Sequence, residues 1–348
     1  MELDSNKSDI KELSRDQLVA WLKNHNVKPY RADQILKWVY LRQADTFDEM
    51  SDLGKKFRKL LSHHFTISRL ERAGIETSQD GSRKYLFKLK DGKHVESVLI
   101  PEKDYYTLCI SSQVGCAQGC RFCLTAKAGF VRNLSKGELI SQVRDVASHL
   151  DGPMRLTNIV LMGMGEPLAN YDNVVEAVNT ITNSKIGLGI SNRRVTISTA
   201  GLVAKLADLG RDTIVNLAIS LNATDNKTRD MLMPINRKYP IQKVLAACAQ
   251  YHLLPRRKIT FEYILIKGVN DSRQDAERLA KLLRPIRAKI NLIPLNTYEG
   301  CDFERPEESV IEEFKEILHR KHYTAIIRHS KGQDISAACG QLSGKYDA

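Results

Sequence analysis

The sequence has no apolar stretch long enough to cross a bilayer, and its polar, acidic opening Met1-Glu2-Leu3-Asp4 does not suit a signal peptide. Membrane-embedded and secreted classes are therefore set aside, and a cytoplasmic protein is expected. No internal repeat or low-complexity linker interrupts the 348 residues. Acidic side chains are in short supply: 41 Asp and Glu face 53 Lys and Arg, a formal net charge of +12. Such an excess points to a polyanionic partner, most simply nucleic acid. Seven cysteines, an odd number, argue against a disulfide framework in a reducing compartment. Three of them, Cys116, Cys120 and Cys123, fall within eight residues, which points to metal or cluster ligation.

Three segments follow one another along the chain. Residues 1–75 read as mostly helical, with a capping pattern at Ser14-Arg15-Asp16-Gln17 and helical spacing of Leu18, Trp21 and Leu22 and of Ile35, Trp38 and Val39. The basic run Lys55-Lys56-Phe57-Arg58-Lys59 makes this segment a candidate RNA-binding domain. Residues 76–104 read as a connecting β-hairpin, in which Tyr85, Phe87 and Leu89 alternate with basic residues, Asp91-Gly92 turns, and Val95–Ile100 returns. Residues 105–348 alternate apolar runs with amphipathic stretches. Runs at Leu108–Ile110, Ile159–Met162, Val195–Ile197, Val215–Ser220, Phe261–Ile266, Ile290–Ile293 and Ala325–Ile327 predict parallel strands with crossover helices. The fold class is therefore α/β, a full or partial (β/α) barrel whose site lies at the carboxyl ends of the strands.

Cys116, Cys120 and Cys123 directly follow the first of these strands, in a loop made pliable by Gly115 and Gly119. Three soft thiolates suit a 4Fe-4S cluster and leave one iron open for a substrate. Structural zinc is the other reading, but it needs a fourth Cys or His, and the nearest downstream is His149 at the end of a predicted helix. Gly163-Met-Gly165 follows a strand, yet Leu168 stands where the third glycine of a dinucleotide loop belongs, so that fingerprint fails.

The Cys-x3-Cys-x2-Cys spacing, with Phe122 before the third cysteine, resembles the radical S-adenosylmethionine (SAM) superfamily, and Gly165-Glu166-Pro167 resembles its Gly-Glu-Pro element. Six segments narrow the likeness to the RlmN family of adenine-C2 methyltransferases. They are Thr107-Leu-Cys-Ile-Ser-Ser-Gln-Val-Gly-Cys116, Gly163-Met-Gly-Glu-Pro-Leu168, Arg194-Val-Thr-Ile-Ser-Thr199, Met233-Pro-Ile-Asn236, Ile290-Asn-Leu-Ile-Pro-Leu-Asn296 and Ala338-Cys-Gly-Gln-Leu342. The likeness runs in consistent order from about Leu18 to Leu342.

The resemblance implies cluster ligation by Cys116, Cys120 and Cys123, and SAM contacts at Gly165, Glu166, Ser198, Ser220, Leu221, Asn222 and Asn296. It implies that Glu96 accepts a proton, that Cys339 carries the methyl group and that Cys109 resolves the intermediate by forming a disulfide with it. One SAM would methylate Cys339, and a second would be cleaved to activate that methyl group for addition to adenine. Asn222 departs from the family, in which His is frequent at this position. The implied partners are 23S rRNA, tRNA and an electron donor such as flavodoxin or ferredoxin, with no membrane. The competing readings are a Cfr-type enzyme acting on carbon 8, a glycyl-radical activating enzyme, and an RNA-binding protein with a structural cluster. Read from the residues alone, Cys109 fits a buried core cysteine, Cys339 fits a core cysteine or a reactive one in a small-residue loop equally well, and Glu96 fits a solvent-facing hairpin residue.

Overall fold

The computed structural model describes residues 7–150 and 153–344, so the opening Met1-Glu2-Leu3-Asp4 lies outside the described residues. The first part is helical, with β1 (Ser8–Asp9), α1 (Arg15–Asn24), α2 (Arg31–Tyr40), α3 (Lys55–His64) and β2 (Phe65–Thr66). The capping pattern read from sequence starts α1: Ser14 Oγ accepts from Gln17 N–H at 3.1 Å, and Gln17 Oε1 accepts from Ser14 N–H at 2.7 Å. Leu18, Leu22, Ile35 and Val39 are fully buried, as their spacing predicts.

The expected hairpin is a three-stranded antiparallel meander, β3 (Glu71–Thr77), β4 (Arg83–Lys88) and β5 (His94–Pro101). Its first strand falls inside the segment read as mostly helical. Glu71-Arg-Ala-Gly-Ile-Glu-Thr77 is half-buried to exposed throughout, so no buried face writes an alternation into it.

β6 (Tyr105–Cys109) joins this meander to the parallel sheet. After it come a small ribbon, β7 (Gln113–Gly115) and β8 (Phe130–Asn133), with α4 (Leu124–Lys127) between them, and then α5 (Lys136–Ala147). Strands and helices then alternate: β9 (Arg155–Leu161), α6 (Tyr171–Thr182), β10 (Val195–Thr199), α7 (Val203–Asp212), β11 (Asn216–Ser220), α8 (Asn226–Leu232), α9 (Ile241–Ala249), β12 (Ile259–Leu265), α10 (Arg273–Leu283), β13 (Ala288–Pro294), α11 (Glu308–Arg320) and β14 (Ala325–Ile327). The ten-stranded sheet runs β14-β13-β12-β11-β10-β9-β6-β5-β4-β3. From β6 to β14 every pairing is parallel, so the seven apolar runs are the seven parallel strands of a partial β/α barrel.

The helical part docks on α5 through a buried cation. Arg144 donates to the carbonyls of Val39 (3.3 Å), Gln43 (2.9 Å) and Ala44 (2.6 Å) and to the Asp45 carboxylate (2.7 Å). Glu12 completes the junction by accepting from Ser135 Oγ at 2.6 Å and from Gly137 N–H at 3.1 Å at the start of α5.

Candidate active site

The carboxyl ends of the parallel strands surround a single cavity open to solvent. Cys116, Cys120, Cys123, Gly165, Glu166, Ser198, Ser220, Asn222 and Cys339 all line it. Residues scattered over more than 220 positions of sequence thus share one wall, because each closes a strand or the turn after it.

The cysteine loop springs from β7. Gly115 holds φ +74°, and a Cβ there would lie 1.8 Å from the Gly129 carbonyl oxygen, the same oxygen that accepts from Cys116 N–H at 2.9 Å. Only glycine lets the two backbones meet so closely. Burial pushes the Cys116 thiol up to about 11 and the Cys120 thiol up as well, with neighbouring cysteines adding to the effect. The buried Arg229 guanidinium opposes that rise at Cys120. Among the described residues, no three His, Cys, Asp or Glu side chains converge on a single ion. Three soft thiol donors on one cavity wall fit the ligand chemistry of an iron–sulfur cluster.

The Gly-Glu-Pro turn follows β9 and is stitched to the segment leading into β7. Met164 O accepts from Ser112 N–H at 2.7 Å, and Glu166 N–H donates to Gln113 Oε1 at 2.8 Å. Gly165 sits at φ +100°, with a hypothetical Cβ only 2.6 Å from Gln113 Cβ. Glu166 is buried, and burial raises its pKa; Oε2 accepts from Ala200 N–H at 2.7 Å and Oε1 from Leu168 N–H at 2.9 Å. These bonds fix the carboxylate across two strand ends while it still lines the cavity.

Four expected site residues do not line the cavity. Leu221 is fully buried. Asn296 is engaged with the C-terminal loop, donating to Cys339 O at 3.1 Å and accepting from Gln333 Nε2 at 2.8 Å, so it positions the Cys339 loop. Cys109, the last residue of β6, is buried, and burial first, then the nearby Cys339 thiol, pushes its pKa far up. Glu96 is buried rather than solvent-facing. Its Oε2 accepts from the Ser343 and Gly344 N–H groups at 2.8 and 2.9 Å, and Lys84 Nζ lies 3.6 Å from Oε1. Burial outweighs these contacts and raises the Glu96 pKa.

Cys339 is exposed to the cavity, and burial followed by the Glu262 charge pushes its thiol up to about 11. Asn222 sits at φ +58°, with Oδ1 accepting from Ile264 N–H at 2.9 Å, so its amide bridges strand ends. Two site residues escaped the sequence reading. Arg229 ties the ends of β10 and β11 together by donating to Ala200 O (2.8 Å) and Leu221 O (2.9 Å), and nothing in a charged helical stretch marks it. Glu262 lines the cavity from β12, and there a signal existed: a lone carboxylate inside the apolar run Ile259–Leu265.

The radical SAM superfamily model matches residues 110–283, and the model for the ribosomal RNA large subunit methyltransferase N-terminal domain matches residues 8–67. A protein of Desulfosudis oleivorans named dual-specificity RNA methyltransferase RlmN is 60% identical, covering 96% of this chain and 90% of its own length. A protein of the same name from Geobacter sulfurreducens is 54% identical, covering 98% and 93%. The crystal structure of a radical SAM methyltransferase from Sphaerobacter thermophilus superposes with a TM-score of 0.91 at 41% identity, covering 97% of this chain and all of that one. With full-length relatives, both family models and a cysteine loop facing a Gly-Glu-Pro turn across one cavity, this chain is a SAM-dependent enzyme and belongs to the RlmN family.

Proposed function

We propose that this enzyme methylates carbon 2 of adenine in 23S rRNA and tRNA through a methyl group carried on Cys339. The observation that carries the reading is the position of Cys339. It opens into the cavity lined by Cys116, Cys120, Cys123 and the Gly163–Glu166 turn, and its charge bears on the Cys109 thiol. Ordinary methyl transfer needs a nucleophile, and carbon 2, set between two ring nitrogens, is electron-poor. A sulfur that first takes the methyl group and then presents it for radical addition removes that difficulty.

Cys116, Cys120 and Cys123 would hold the 4Fe-4S cluster, and Gly165, Glu166, Ser198, Ser220, Leu221, Asn222 and Asn296 would form the SAM site. When bound, the cluster and SAM supply the one-electron chemistry that activates the Cys339 methyl group, with electrons from a donor such as flavodoxin or ferredoxin. The chain's residues do the rest. Cys339 would link to adenine through its methylene carbon and Glu96 Oε would take the carbon-2 proton, the odd electron of the adduct being returned to the one-electron chemistry of the cofactors. Attack of the Cys109 thiolate on Cys339 sulfur would then form the disulfide and break the sulfur–carbon bond, and the freed carbon would take up a proton to become the product methyl group. The dual-specificity name of the relatives and the basic charge of the chain support rRNA and tRNA as substrates.

Mass spectrometry of nucleosides from rRNA and tRNA, isolated from cells with and without the gene, tests the assignment. The expected result is loss of 2-methyladenosine from both RNAs when the gene is deleted. Loss of 8-methyladenosine instead would move the enzyme to the Cfr-type reaction.

A further inference from the structure

β12 is a buried parallel strand, and its alternation divides it cleanly. Phe261, Tyr263 and Leu265 turn into the apolar core, where Tyr263 packs against Phe314 of α11 with ring centroids 5.4 Å apart. Glu262 and Ile264 turn into the cavity. Glu262 Oε1 accepts from Asn291 Nδ2 of β13 at 3.0 Å, while Oε2 receives no hydrogen bond among the described residues. A buried carboxylate with an open oxygen, facing a cavity that also holds Cys339, is an arrangement that packing alone does not call for.

We propose that Glu262 is the base that takes the proton from Cys339 Sγ when this sulfur accepts its methyl group, an inference that rests on Cys339 being the methyl carrier. In this step the S–H bond breaks and its proton goes to Glu262 Oε. The sulfur electron pair forms the new S–CH3 bond, the bond between the SAM sulfonium and its methyl carbon breaks, and S-adenosylhomocysteine leaves. The proton then passes to solvent after S-adenosylhomocysteine has left. No oxidant or reductant is needed.

The electrostatics favour this division of labour. Thiolate, not thiol, is the nucleophile, and the Cys339 thiol sits at about 11. Burial raises the Glu262 carboxyl to about 7, close to the ideal for a general base in a neutral cell. The charged groups bearing on Glu262 are Arg328 and Lys289; those bearing on Cys339 are Glu262, Arg328 and Cys123. Because the two acids repel each other's negative charge, the pair carries one charge more readily than two, and the transfer moves it from oxygen to sulfur.

Glu262→Gln keeps the acceptor for Asn291 and removes the base. The cluster-loaded enzyme is mixed with SAM, and methylation of the Cys339 peptide is followed by mass spectrometry, with iron content and SAM binding measured alongside. At pH 7 the Gln variant should methylate Cys339 about 100-fold more slowly or worse at unchanged iron and SAM binding, and Glu262→Asp should recover much of the rate. Without SAM, iodoacetamide should alkylate Cys339 faster in the Gln variant at pH 8.5, because the negative charge that raises the thiol pKa is gone. Cys339 methylation at the wild-type rate in the Gln variant, no advantage of Asp over Gln, or unchanged alkylation would each overturn the inference. If wild-type Cys339 acquires no methyl group, the carrier reading itself falls and this inference with it, and the wild-type arm separates that failure from the others.

Discussion

Cys109, Cys116, Cys120, Cys339, Glu96, Glu166 and Glu262 all hold their protons more tightly than they would in water, with burial as the leading cause in every case. A site that must keep radical chemistry away from solvent carries this cost. Glu262 shows it most clearly, since its carboxyl moves from an ordinary 4.5 to about 7. Between those values the folded chain binds more protons than the unfolded one, so stability is greatest below about 4.5 and falls as pH rises through 7. The full shift corresponds to roughly 3 kcal/mol as an upper bound. Glu262→Gln should therefore melt several degrees higher than wild type at pH 8 and show no gain near pH 4.5, as read by thermal unfolding across that range. A variant less stable than wild type at both pH values would mean that the Asn291 contact, not the charge, governs the position.

At the scale of elements, the junction of α2 and α5 hangs on Arg144, whose guanidinium is fully buried and serves three carbonyls and Asp45. Arg144→Ala would leave the buried Val39 and Ala44 carbonyls without their donor, while the exposed Asp45 keeps Arg69, costing about 1–3 kcal/mol. The expected readout is a lower melting temperature and faster proteolytic release of the helical part. Arg144→Lys should rescue little, because one ammonium cannot reach four acceptors in a planar fork. Elements were legible where burial wrote a pattern. The seven parallel strands read directly because each carries a continuous apolar run. β3 was hidden by its exposure. At the site, the cysteine spacing and the Gly-Glu-Pro turn were visible as local strings. The reach of the Cys339 charge to Cys109 and the burial of Glu96 under residues 343–344 depend on chain crossings that no local string contains.

For the whole molecule, the net charge of +12 makes phosphate contacts the main long-range attraction, so RNA affinity should fall steeply with added salt. Lys55, Lys56 and Lys59 of α3 are exposed, whereas the Arg58 guanidinium is committed to the Asp48 carbonyl. Reversing the three lysines to Glu should weaken RNA binding and flatten its salt dependence while leaving iron content unchanged. Unchanged affinity in a filter-binding titration would place recognition on the barrel. The central claim is that one methyl group passes from Cys339 to RNA and that Cys109 frees the product, and Cys109→Ala isolates the last step. The variant should load its cluster, methylate Cys339 and add to adenine, yet fail to cleave the link. It should then run on denaturing gels as a covalent RNA adduct that nuclease trims, and the Cys109→Ala, Cys339→Ala double variant should show none. A Cys109→Ala enzyme that turns over at the wild-type rate without any adduct would contradict the account.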